Sequence, residues 1–138
     1  MSVTEPPDVP RHFTTFLAFD YGAKRTGVAV GNRMMRTATP QATIRAEGKA
    51  RLEAAAQRVS EWQPDALVIG VPFHPDGAPH DNTERARRFG RQLAARVKLA
   101  VYEVDERYST TEAQASGATD PDAGAACVIL EQFLRSIE

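Results

Sequence analysis

In 138 residues the chain has one cysteine, one tryptophan and no apolar run approaching the length of a membrane span. The lone Cys127 excludes an internal disulfide and rules out a thiolate metal cluster, and its place in an apolar helical pattern suits a reducing cytosol. Without a spanning segment there is no case for a membrane protein. Charge of one sign is lacking too: 17 basic against 18 acidic residues give a net charge of −1, which argues against indiscriminate nucleic-acid binding. Residues 1–11 hold Pro6, Pro7 and Pro10 with acids but no apolar stretch, so they do not read as a signal peptide. Residues 1–14 are expected to form a disordered extension, ahead of a single cytoplasmic domain at 15–138.

The balanced total hides segregated charge. Residues 21–60 carry Lys24, Arg25, Arg33, Arg36, Arg45, Lys49, Arg51 and Arg58 against Glu47 and Glu53, and residues 84–98 are again basic around Arg85, Arg87, Arg88, Arg91 and Arg96. From Glu103 onward carboxylates dominate. A basic surface beside an acidic pocket is what a metal-dependent enzyme acting on polyphosphates needs, although each cluster alone reads first as a solvated helix face.

The most informative run is Phe16-Leu-Ala-Phe-Asp20-Tyr-Gly22-Ala-Lys24-Arg25-Thr-Gly27-Val-Ala-Val30. An apolar strand ends in a carboxylate, a turn with glycine and two bases follows, and a second strand begins at once. Such a segment serves a phosphate-bearing ligand, or is a plain hairpin in which Asp20 accepts turn hydrogen bonds. Further strands are expected at Arg36–Ile44, with Pro40 demanding an edge or a bulge, at Ala66–Val71, and at Leu99–Val104 as another buried strand. Helices are expected over Lys49–Trp62, with Leu52, Ala55, Ala56, Val59 and Trp62 inward, and from a capping box at Asp81–Glu84 to Val97. A short helix follows from Ser109 to Gly117, and the last starts at Asp122 with Ala126, Ile129, Leu130, Phe133 and Leu134 inward. The order β-β-β-α-β-α-β-α-α indicates an α/β three-layer domain, a mixed five-stranded sheet flanked by helices.

Three acidic positions end up where element ends converge: Asp20 after the first strand, Asp105 or Glu106 after the last, and Asp122 at a helix start. Asp122 also has a simple role as a helix cap, and Asp105-Glu106 as solvated loop. Together the three repel unless protons or divalent cations intervene. A hard oxygen donor set without His or Cys suits Mg²⁺ or Mn²⁺, the ions of phosphodiester hydrolysis. His12, His74 and His80 have no zinc-site spacing.

Four segments, in order, carry a resemblance: Asp20-Tyr-Gly-Ala-Lys-Arg-Thr-Gly-Val-Ala-Val, Val68-Ile-Gly-Val-Pro-Phe with Asp76-Gly77, Asp105-Glu-Arg-Tyr-Ser-Thr, and Asp122-Ala-Gly-Ala-Ala-Cys-Val-Ile-Leu-Glu. They resemble the motifs of the YqgF/RuvX family over about residues 16–134. The resemblance implies an RNase H-like fold related to the resolvase RuvC, and a metal-dependent nuclease maturing the 5′ end of pre-16S ribosomal RNA. It implies Asp20, Glu106 and Asp122 as catalytic metal ligands, with Asp105 the close contender for Glu106. It makes Lys24, Arg25 and Arg107 candidates for phosphate contacts, and nucleic acid, with a ribosomal particle, the partner. The segment Gly117–Pro121 departs from the family in being short and without a base, and Tyr108 stands where Leu is usual. Two nuclease readings remain, on RNA or on four-way DNA junctions, beside a silent nucleic-acid-binding module. An actin-like ATP-binding domain would need a second domain for which the chain is too short.

Overall fold

The computed structural model describes residues 9–106 and 121–137. Strands β1 (Thr15–Tyr21), β2 (Thr26–Asn32) and β3 (Thr37–Ile44) form an antiparallel meander, followed by helix α1 (Gly48–Trp62), strand β4 (Ala66–Val71), helix α2 (Thr83–Val97), strand β5 (Ala100–Asp105) and helix α3 (Pro121–Ser136). The sheet order is β3-β2-β1-β4-β5, with β1, β4 and β5 parallel. This is the expected three-layer arrangement. The helix expected at Ser109–Gly117 lies outside the described residues, as do Arg107 and Tyr108.

Side-chain alternation along β1 sorts the two cores. Phe16 and Ala18 join Ala29, Val68, Ile129, Leu130 and Phe133 under α3. Leu17 and Phe19 join Val28, Leu67, Ile69, Phe89 and Leu93 under α1 and α2. The central β1 and β4 are buried on both faces, which their continuous apolar runs require. Pro40 sits on the edge strand β3, opposite Ala29, and the β2/β3 register shifts between Thr26 and Val28. Residues from Val9 pack on the domain: Val9 is buried in the α3-side core, and the Asp65 carboxylate accepts the Thr14 and Thr15 backbone N–H groups at 2.8 and 3.0 Å. Those two bonds hold Asp65 below the usual carboxylate range.

Three expectations are corrected. Strand β5 is an edge strand whose residues are half-buried or exposed, not a buried one, because nothing pairs beyond it among the described residues. Trp62, expected inward, is 43% exposed at the last residue of α1. Helix α2 does not open with the Asp81 capping box: its N-cap is Asn82, which makes no side-chain cap. Residues 80–83 instead fold back as a turn, because the Thr83 hydroxyl donates to the Pro72 carbonyl and accepts from the His80 N–H.

Candidate active site

Parallel strands deliver their C-terminal ends to one edge of a sheet, where ligands are met in α/β folds. Here that edge carries the end of β1 at Asp20, the end of β4 at Gly70, and the end of β5 with Glu106 just beyond it. The antiparallel β2 starts there, at Thr26-Gly27.

Asp20 lies in a cross-sheet row of Gly27, Asp20, Gly70 and Val104, all on the α3 face. Both neighbours of Asp20 in the row are glycines, and each makes room for a different part of the site. A Cβ on Gly27 would lie 1.9 Å from the Asp122 carbonyl oxygen, so only glycine lets the first turn of α3 settle against β2. A Cβ on Gly70 would lie 3.0 Å from Glu106 Oε2 and 2.3 Å from Ile129 Cδ1. The glycines thus clear a notch around Asp20 for Glu106 from one side and Asp122 from the other.

Glu106 is anchored by its own backbone, whose N–H donates to the Val71 carbonyl at 3.2 Å and prolongs the β4/β5 ladder by one residue. Its side chain hydrogen-bonds Asp20. Asp105 is paired in register with Val71, whose side chain belongs to the α1/α2 core, and so falls on the opposite face of the sheet. Of the two adjacent acids, Glu106 is the one brought to Asp20.

Burial pushes the Asp20 carboxyl up from the ordinary 3.8 to about 6; the Glu106 hydrogen bond opposes the shift and the charge of Asp122 adds to it. Two carboxyls can share a hydrogen bond only with a proton between them, so near neutral pH this pair calls for a proton or a cation. Asp122 lies in the first turn of α3, behind Pro121 at the helix start. It pairs with Arg25, Nε to Oδ2 at 3.0 Å. Among the described residues no three His, Cys, Asp or Glu side chains close around a single point. The acids are therefore arranged as a touching pair, Asp20 and Glu106, with Asp122 nearby on a basic partner.

Of the sequence candidates, Asp20, Glu106, Asp122 and Arg25 come together, Asp105 is carried to the other face, and Lys24 is exposed in the same turn as Arg25. Arg107 lies outside the described residues. Sequence reasoning missed Gly70 as part of the site, although a glycine inside the apolar run Ala66–Val71 is itself a sign of close approach. It also gave Arg25 to phosphate alone, and its pairing with Asp122 leaves no trace in spacing.

A five-stranded sheet of this order, helices on both faces and an acid at the end of the central strand define an RNase H-like domain. The structure titled "T. thermophilus RuvC in complex with Holliday junction substrate" matches with a TM-score of 0.55 at 14% identity, over 90% of this chain and 96% of that one. The chain belongs to the RuvX family, whose model, described as "Holliday junction resolvase", matches residues 14–136. A protein of Polaromonas sp. named "Putative pre-16S rRNA nuclease" is 65% identical over 99% of each chain. One of the same name from Albidiferax ferrireducens is 67% identical over 96% of this chain and 85% of its own.

Proposed function

We propose that this chain is a divalent-metal-dependent endonuclease that hydrolyses phosphodiester bonds in the 5′ precursor segment of 16S ribosomal RNA, in the cytoplasm. The observation that carries the reading is the Asp20–Glu106 carboxyl pair, held in a notch between two glycines with Asp122 beside it. The names of relatives that match this chain end to end favour the ribosomal substrate. In keeping with a cytoplasmic place, no helix among the described residues is long and apolar enough to cross a membrane.

The donor set fits Mg²⁺ or Mn²⁺. Asp20 and Glu106 would hold the ion, which replaces the proton they otherwise share, and Asp122 would complete the set on leaving Arg25. Such an ion, when bound, activates water and neutralises charge on the phosphate. Arg25 would offer its planar guanidinium to a nonbridging phosphate oxygen, with Lys24 beside it as a second cation. The largely buried setting of Asp20 limits screening of its own charge by bulk water, whereas Lys24 and Arg25 stand in solvent.

A second reading, cleavage of four-way DNA junctions, draws on the description of the family model and on the shared fold. One assay separates the two. Wild type and Asp20→Asn are incubated with Mg²⁺ or Mn²⁺ and either a labelled 5′-extended pre-16S RNA fragment or a four-way DNA junction. Cutting of the RNA that is lost in Asp20→Asn is expected. Cutting of the junction alone moves the chain to the second reading, and equal cutting by Asp20→Asn removes the acid pair from the reaction.

A further inference from the structure

Directly behind the acid site, on the other face of the sheet, lies a cavity of about 470 Å³ at the start of α1, walled by Tyr21, Lys49, Arg51, Leu52, Arg85 and Arg88. No carboxylate lines it among the described residues. Arg51 is only 3% exposed, yet among the described residues its charge meets no acid: Nε donates to the Ala46 carbonyl at 3.1 Å and Nη2 to the Ala23 carbonyl at 2.6 Å. The guanidinium lies over the Tyr21 ring at 4.1 Å, and its Nη1 is buried with no hydrogen-bond partner. A buried cation without a counter-charge is costly, and natural proteins ordinarily pair it.

Helix α2 sharpens the contrast. Its Arg87, Arg91 and Arg96 each pair with a carboxylate, on Glu103, Glu84 and Glu53. Arg85 and Arg88, which face the cavity, make no ion pair among the described residues. At the cavity floor, Gly48 starts α1 with open space above its backbone. The N-cap Glu47 makes no side-chain cap and the first turn holds no acid, so the positive end of the helix is left for a ligand. Four like charges and an uncapped helix start border one space.

We propose that this cavity is a second anion site, one that takes adjacent phosphate groups. Several fork-shaped or flexible cations suit several phosphate charges better than a single carboxylate. Two sources share that chemistry: the phosphodiesters of a polynucleotide strand, or the phosphate chain of a free nucleotide. The strand has a structural route, because Arg51 holds the carbonyl of Ala23 in the same β1–β2 turn that carries Lys24 and Arg25. The cavity and the acid site thus lie on the two sides of one turn.

The test is calorimetric titration of inorganic triphosphate and of a single-stranded RNA oligonucleotide, both in metal-free buffer. The proteins are wild type, the Arg85→Ala/Arg88→Ala double variant at exposed positions, and Asp20→Asn. Triphosphate is expected to bind wild type and Asp20→Asn alike, and to bind the double variant roughly tenfold or more weakly, about 1.4 kcal/mol. If RNA binding also weakens in the double variant, with a salt slope flatter by about 0.7 per lost contact, the phosphates belong to a strand. If RNA binding is unchanged while triphosphate binding falls, they belong to a free nucleotide. No triphosphate binding by wild type, or equal binding by the double variant, overturns the proposal. Clearly altered binding by Asp20→Asn, tighter because a repelling carboxylate is gone, would place the anion at the acids and overturn it as well. Because no cleavage is read, the outcome is independent of the nuclease reading.

Discussion

Asp20 and Tyr21 are neighbours in sequence, but strand alternation sends them to opposite worlds. On the α3 face, Asp20 meets two further acids in a notch made by absent side chains. On the α1/α2 face, Tyr21 carries a buried guanidinium and borders a cavity lined by cations. A sequence whose charges nearly cancel overall thus holds an acidic centre and a basic one a strand's thickness apart. The single β1–β2 turn touches both, through Arg25 on Asp122 and Ala23 on Arg51. The lesson is that net charge says little where a sheet separates the signs.

The comparison breaks most severely at the acid pair. Asp20→Asn is expected to lower metal-dependent cleavage on the order of a hundred- to a thousandfold, read as kcat/KM on the RNA fragment. Retained activity would mean that the acid notch is not the reacting centre. Next comes the glycine that seats α3. In Gly27→Ala the new methyl meets backbone rather than a mobile side chain, so a loss of about 3 kcal/mol is expected in denaturant unfolding. A neutral result would show that α3 can draw back from β2 without cost.

Asp20→Asn also has a stability signature of opposite sign to its effect on activity. The folded Asp20 carboxyl titrates near 6 against 3.8 ordinarily, so between those values the folded state binds more protons than the unfolded one. The favourable contribution of the protonated form is complete below about pH 4 and is lost as pH rises through 6. In metal-free buffer the wild type should lose up to about 3 kcal/mol across that window relative to Asp20→Asn. Melting curves of the two proteins between pH 4 and 8 test this, and parallel pH profiles would contradict it.

The smallest effect concerns the link between the faces. The Arg25–Asp122 pair is half exposed and should contribute under about 1 kcal/mol to stability. If Asp122 must leave Arg25 to reach a cation, Arg25→Gln should bind Mn²⁺ more tightly, by a few-fold, while binding RNA more weakly. Unchanged Mn²⁺ affinity would show that Asp122 is not held back.

Much of this frame was legible in the sequence, because continuous apolar runs and helical spacing survive as strands β1, β2 and β4 and as the three helices. Pro40 announced its edge strand for a reason that tertiary context does not override, a missing N–H. Burial at the periphery was less legible: β5 has the apolar content of a core strand, and only its position at the end of the sheet leaves it half exposed. The capping box at Asp81–Glu84 failed because a distant acceptor, the Pro72 carbonyl, drew Thr83 into a different turn. At the site, the residue types were readable and their partners were not. Whether Asp105 or Glu106 joins Asp20 depends on strand phase, which a one-residue shift inverts. Arg51, which reads as one more basic residue on a polar helix, is buried against Tyr21, the Ala23 carbonyl of the distant β1–β2 turn and the Ala46 carbonyl just ahead of its own helix.

The division of the acids by strand phase brings Glu106 to Asp20 and carries Asp105 to the opposite face. It is tested most directly by measuring Mn²⁺ affinity and RNA cleavage for Glu106→Gln and Asp105→Asn side by side. Glu106→Gln should lose cleavage and weaken Mn²⁺ binding by roughly tenfold or more, while Asp105→Asn stays within a few-fold of wild type in both. The reverse ranking would contradict the placement of the acids and the division of the molecule into an acidic and a basic face.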